Sequence, residues 1–117
     1  MIPGILTFPC FASAQGLTAA ASPSYLSATA TPGGTGTATT TGTTVAVSGG
    51  TPPYTHSWAS SLGSGITINS PTSATTKFHE ALTLGQTDQD TFIDTVTDAN
   101  GVVAHASCDV FLMRADY

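Results

Sequence analysis

The segment "DTFIDTVTDANGVVAHASCDVFL", residues 90–112, constrains the fold more than any other part of this chain. Two runs rich in Val, Thr, Phe and Ile alternate apolar with polar residues, and "DANG" separates them. Alternation at period two sends every second side chain to one face of a strand. Asn and Gly tolerate the positive φ that a tight connection demands. The segment therefore predicts an antiparallel hairpin, with Asp94 in phase with Phe92 and Val96.

Short alternating segments bounded by Gly, Pro, Asn and Asp recur along the rest of the chain, and no capped pattern of helical period interrupts them. Strands are expected at 24–31, 39–48, 54–59, 65–69, 73–78, 90–98 and 101–112. In the second, Val45 and Val47 share one face. In the third, "YTHSWA", period two puts Tyr54, His56 and Trp58 together on the core face. The stretch "ATPGGTGTATTTGTT", residues 30–44, has the low complexity of a linker. The β propensity of Thr and the alternation resuming at Val45 favour strand and hairpin connection instead. At 117 residues, one all-β domain accounts for the chain.

Charged residues are only 8% of the sequence, against about 25% in ordinary soluble domains, so small neutral polar groups must cover the surface. Lys77 and Arg114 are the only basic side chains besides histidine, and the net charge is −5. Counterion release from phosphates then has almost nothing to work with, which excludes nucleic acid and an anionic membrane surface as partners. No apolar run approaches the roughly 18 residues of a spanning helix. Cys10 and Cys108 lie far apart without metal-ligand spacing, and Cys108 is expected as a buried free thiol rather than half of a disulfide.

The start, "MIPGILTFPCFASAQG", ends in an Ala12-Ser13-Ala14 that imitates a signal cleavage site. It has no positive leading region and Pro3 and Pro9 interrupt its apolar stretch, so it is read as retained in the mature protein. Ile2, Ile5, Leu6, Phe8 and Phe11 make it too apolar for a free tail, while Pro3, Gly4 and Pro9 forbid a regular helix. These five residues are expected to dock on a partner subunit, the alternative being that the arm folds back over its own sandwich and covers an edge strand. The chain thus divides into an extended arm (1–22), a sandwich (23–113) and a short tail (114–117).

"VSGGTPPYTHSW", "ATTKF" and "TFIDTVTDANGVVAHASCDVFL" together resemble PKD-like and bacterial immunoglobulin-like domains, with their Gly-Gly-x-x-Pro-Tyr corner, central Trp strand and final Asp-x-x-Gly hairpin. The resemblance covers residues 23–113 and implies a Greek-key β-sandwich of about seven strands. His56 and Asp94 depart from it, standing where the pattern is usually apolar or aromatic. It makes their strands neighbours, and burying either side chain alone is costly. A His56–Asp94 hydrogen bond is therefore expected, within a core that also holds Tyr54, Trp58, Phe92 and Val96. As chemistry the pair is a fragment of a catalytic triad, but no motif places a nucleophile.

Asp88, Asp90, Asp94 and Asp98 match no calcium loop, and solvated strand ends are their default reading. His79, Glu80 and His105 lack zinc spacing. No cofactor, metal or enzymatic activity is expected. The resemblance implies a structural accessory on the tail or head of a tailed bacteriophage. In that setting the arm joins other virion proteins in a symmetric, multi-copy assembly, with weak host-surface glycan contact as an accompaniment. The alternative is a bacterial surface adhesion or carbohydrate-binding module using Tyr25, Tyr54 or Tyr117.

Overall fold

The computed structural model describes residues 16–30 and 36–114. They form ten strands: β1 (Thr18–Ser22), β2 (Tyr25–Thr29), β3 (Thr37–Thr39), β4 (Thr43–Ser48), β5 (Thr55–Ser60), β6 (Thr67–Ile68), β7 (Thr75–Thr76), β8 (Phe78–Ala81), β9 (Thr87–Thr97) and β10 (Val103–Met113). Among the described residues there is no helix, and hence none that is long and apolar enough to cross a membrane.

A four-stranded sheet in the order β2-β10-β9-β5 is built on the expected hairpin. β9 and β10 pair antiparallel from Thr87 opposite Met113 to Thr97 opposite Val103. β5 runs antiparallel to β9, and β2 joins β10 in parallel with Tyr25 opposite Asp109. Facing it are two three-stranded sheets, β1-β4-β7 and β3-β8-β6. The alternation read from sequence decides which side chains lie between the layers. Leu26, Val45, Trp58, Phe92, Val96, Val110 and Leu112 are buried there, whereas their strand neighbours face outward. Phe78 from β8 bridges the layers, stacking on Phe92 at 4.4 Å between ring centroids and meeting Trp58 edge-on at 5.9 Å. Both arrangements suit the ring quadrupole.

Seven expected strands become ten for local reasons. The sequence boundary at residue 22 places 18–22 in the arm, but β1 pairs with β4 over its whole length, from Thr18 opposite Ser48 to Ser22 opposite Thr44. Residues 18–22 thus belong to a sheet, and Ile2, Ile5, Leu6, Phe8, Phe11 and Cys10 lie outside the described residues. Between β1 and β2 the chain crosses from one layer to the other at Pro23. The Pro23 carbonyl accepts from Thr43 Oγ1 at 2.6 Å and from Cys108 Sγ at 3.7 Å, tying one strand of each layer to the crossing. The expected strand 39–48 is divided because Thr40 turns its own hydroxyl into the ladder. Its backbone N–H donates to the Phe78 carbonyl at 2.9 Å, and its Oγ1 accepts from Phe78 N at 3.1 Å. A threonine hydroxyl competing for backbone partners interrupts a strand in this way. On the facing rail the break falls at Lys77, between β7 and β8.

The Gly-Gly corner has the predicted turn role. Gly49 and Gly50 both take positive φ, 77° and 68°, and the Tyr54 hydroxyl donates to the Gly49 carbonyl at 2.7 Å. Beyond β5 the loop around Pro71 covers the sheet edge. The Pro71 carbonyl accepts from Trp58 N at 2.7 Å, and the Ser73 carbonyl accepts from Trp58 Nε1 at 2.8 Å. Edge strands left bare are templates for unwanted pairing.

Candidate functional site

The inward face of β9 and of the turn that follows it reads Asp90, Phe92, Asp94, Val96, Asp98, and all five are buried. Asp90 and Asp98 are not the solvated strand ends that their residue type suggests. Each acid sits at even spacing in phase with the core residues, and each is surrounded by donors.

Asp94 is fully buried and lies opposite Trp58 in the β5–β9 register, while His56 lies opposite Val96. The two are diagonal neighbours across the ladder, a spacing that long side chains bridge. His56 Nδ1 approaches Asp94 Oδ2 to 2.6 Å, and Asp94 Oδ1 accepts from Ser57 N at 2.9 Å. A carboxylate only accepts, so Nδ1 carries the proton. The His56 side chain is 12% exposed, so the pair reaches from the core towards the surface. No described hydroxyl or thiol is hydrogen-bonded to its other ring nitrogen.

Asp90 closes the loop after β5. Oδ1 accepts from Leu62 N at 2.9 Å, and Oδ2 accepts from Ser64 Oγ at 2.5 Å, from Ser64 N at 3.2 Å and from the Ser60 hydroxyl. Burial pushes its pKa up, but these donors outweigh burial and hold it below the ordinary carboxylate value. Asp98 organises the "DANG" turn and the Gly-Gly corner together. Its oxygens take the backbone N–H groups of Thr51, Asn100 and Val102 at 3.0, 2.9 and 2.9 Å. Burial again raises its pKa and the backbone donors lower it further than burial raises it. Carboxylates filled by N–H and O–H donors offer few lone pairs to a cation. Among the described residues no group of three or more His, Cys, Asp or Glu side chains converges on one point. His79 bonds Asn69 and His105 bonds Thr95, so the zinc-type residues do not meet.

One acidic pair escaped the sequence reading. Glu80 on β8 neighbours Asp88 on β9, and its Oε1 is buried without a partner among the described residues. Burial first, then the hydrogen bond and charge of Asp88, push the Glu80 pKa up to about 7. Gly65 makes room for it: a Cβ there would stand 2.6 Å from Glu80 Oε2.

On the outer face of the four-stranded sheet, Tyr25 is 55% exposed beside a concavity of about 290 Å³. Tyr54 is half-buried and committed to the Gly49 carbonyl, and Tyr117 lies outside the described residues. Of the three tyrosines, Tyr25 alone is shown with an available ring. Cys108 is a free, fully buried thiol, its pKa raised chiefly by burial.

No protein-family model, curated protein or solved structure matches this chain.

Proposed function

We propose that this chain is a non-enzymatic structural accessory of a tailed bacteriophage particle. In this reading it is an immunoglobulin-like, PKD-like Greek-key sandwich displayed on the tail or head and anchored through its N-terminal segment. Counting β1/β2, β3/β4 and β7/β8 each as one divided strand leaves seven, the number such a sandwich uses. Consecutive strands β4 and β5, and again β8 and β9, belong to opposite layers, as Greek-key connections require.

The observation that carries the reading is the commitment of the interior acids. Asp90, Asp94 and Asp98 engage their oxygens with the β5 loop, with His56 and Ser57, and with the turn and corner. Polar groups so occupied stiffen a scaffold. In the assembled particle the scaffold is a rigid knob, Ile2, Ile5, Leu6, Phe8 and Phe11 are the hook, and the partner is another virion protein present in symmetric copies. Burying those side chains contributes about 25 cal/mol per Å² of apolar area.

Deletion of residues 1–15 tests this directly. The truncated protein is expected to unfold with the cooperativity of the full chain and to be missing from purified particles, in which the full chain appears in fixed proportion to a major tail or capsid protein. Incorporation of the truncated protein at the full-length level, or absence of the full chain from particles, would overturn the proposal.

A further inference from the structure

β10 has a sheet neighbour on its β2 side for only half its length. β2 pairs with residues 109–113, and the crossing at Pro23, level with Cys108, ends that pairing. Asp109 N donates to the Ser24 carbonyl and Ala30 N donates to the Met113 carbonyl, so the odd residues of β10 aim their backbone groups at the β2 side. The β9 ladder runs unbroken to Val103, so Val103, His105 and Ser107 aim theirs the same way. No described residue bonds the N–H or C=O groups of these three on that side. Residues 103–107 are therefore a stretch of sheet edge open to an added strand. At its mouth Val102 and Val103 are 42% and 49% exposed, apolar surface that a docked segment would cover. Ala104 and Ala106 point inward, and β1 passes in the other layer with Ala19 and Ala21, so small side chains line the inner wall.

Residues 1–15, which lie outside the described residues, match this edge in sequence. Pro3 and Pro9 are both odd-numbered, so on an extended strand their missing N–H groups fall on one rail and the even rail is complete. Pairing through Phe8, Cys10 and Ala12 turns Pro9 and Phe11 over the alanines and leaves a proline on the new outer edge. Neither piece contains Asp, Glu, Lys or Arg, although the protein has a net charge of −5, so the contact opposes no charges.

The position of Gly16 favours a second copy as the donor. Gly16 packs beside Gly49, at the end of the sandwich where β10 starts. To lie antiparallel on its own β10, the chain would have to reverse and cross about 10 Å between layers within residues 12–15. These four residues, "ASAQ", include none of the Gly, Pro, Asn or Asp of a tight reversal. A neighbouring copy is reached by a strand that runs straight on.

We infer, taking the N-terminal segment as the hook proposed above, that residues 8–12 of one copy add an antiparallel strand to β10 of the next. Phe8, Cys10 and Ala12 stand opposite Ser107, His105 and Val103. Each copy gives one strand and receives one, a heterologous contact that repeats around a ring or along a row. So short a strand binds weakly between free copies and strongly where many copies are held together.

The test uses the full chain carrying H105C. A hydrogen-bonded antiparallel pair stands about 5.5 Å apart at Cα, within reach of a disulfide. Oxidation with glutathione disulfide is expected to link Cys10 of one copy to position 105 of the next, giving dimers and higher multimers on a non-reducing gel. T55C, on the opposite edge of the same sheet, should link far less, and Cys108 is buried away from the oxidant. In the parent chain, hydrogen exchange at the amides of Val103, His105 and Ser107 should slow as concentration rises. C10P should abolish that slowing by removing a paired N–H, whereas C10A and T7P should keep it, since the Thr7 N–H points away. The inference is overturned if oxidised H105C stays monomeric, a bond within one chain included, if T55C links as well, or if C10P slows exchange as the parent does. Multimers of H105C from a chain absent from particles would sink only the virion reading. A chain present in particles whose H105C stays monomeric would sink only the strand addition.

Discussion

Removing His56 leaves the fully buried Asp94 carboxylate with Ser57 N as its remaining donor. Breaking a buried pair from one side costs about 3–5 kcal/mol, because the surviving charge is uncompensated. His56→Leu should therefore lower the unfolding free energy by about that amount. Asp94→Leu strands a backbone N–H at Ser57, at about 1–3 kcal/mol, and removes the partner of a histidine that still reaches solvent. The double leucine variant removes both members of the pair and retains only the Ser57 deficit, so its cost is about 1–3 kcal/mol. The Ser57 deficit is common to Asp94→Leu and the double variant, so the two losses fail to add by about 3–5 kcal/mol, the cost of the His56 change alone, as residues coupled in one network do. Trp58, the only tryptophan and itself buried beside the pair, reports urea unfolding by fluorescence. Comparable m-values among the four proteins license the comparison. Additivity within about 0.5 kcal/mol would show that the pair is not energetically coupled and would refute the argument.

Asp90→Ala should free the loop after β5 at about 2–3 kcal/mol, from several lost hydrogen bonds to one carboxylate. The amides of Leu62 and Ser64 should lose protection from hydrogen exchange before the β9–β10 hairpin does. Glu80 has a folded pKa of about 7 against an ordinary 4.5, so between those values the native state holds more proton than the unfolded chain. Its contribution is full below about 4.5 and is lost as pH rises through about 7, and a Glu80→Gln variant should flatten that fall in denaturation curves taken across the window. Asp90 and Asp98, both lowered, act with the opposite sign: their contributions stand above 3.8 and disappear as acid protonates them below it. Gly49→Ala meets both a positive φ and the Gly16 carbonyl, whereas Gly63→Ala meets only the φ. Thermal unfolding should show the first losing at least 1 kcal/mol more than the second, which costs about 1–2 kcal/mol.

The β9–β10 hairpin and the inward set Tyr54, His56 and Trp58 were legible because alternation and turn chemistry are local signals. The His56–Asp94 contact followed from phase, together with the cost of burying either group alone. The same phase argument reaches Asp90 and Asp98, each two alternations from Asp94. General burial preferences of aspartate outweighed it there, although the even spacing from Phe92 and Val96 was the signal to follow. β1 was hidden because "TAAAS" contains one β-branched residue and no apolar–polar contrast. The breaks at Thr40 and Lys77 depend on a hydroxyl finding a partner 38 residues away, which no window of sequence contains. Glu80 and Asp88 meet only because β8 leads through a short turn into the opposite layer.

Acids alternating with Phe92 and Val96 along β9 have one more consequence, for how the hairpin aligns. A two-residue slip keeps every β9 side chain on its original face, so hydrophobic patterning by itself would tolerate it. Here such a slip carries Phe92 and Val96 into the nests of N–H donors and drives carboxylates against the Phe78 ring. The misaligned hairpin is penalised at several positions at once, and a surface nearly devoid of charge can leave the choice of alignment to the interior.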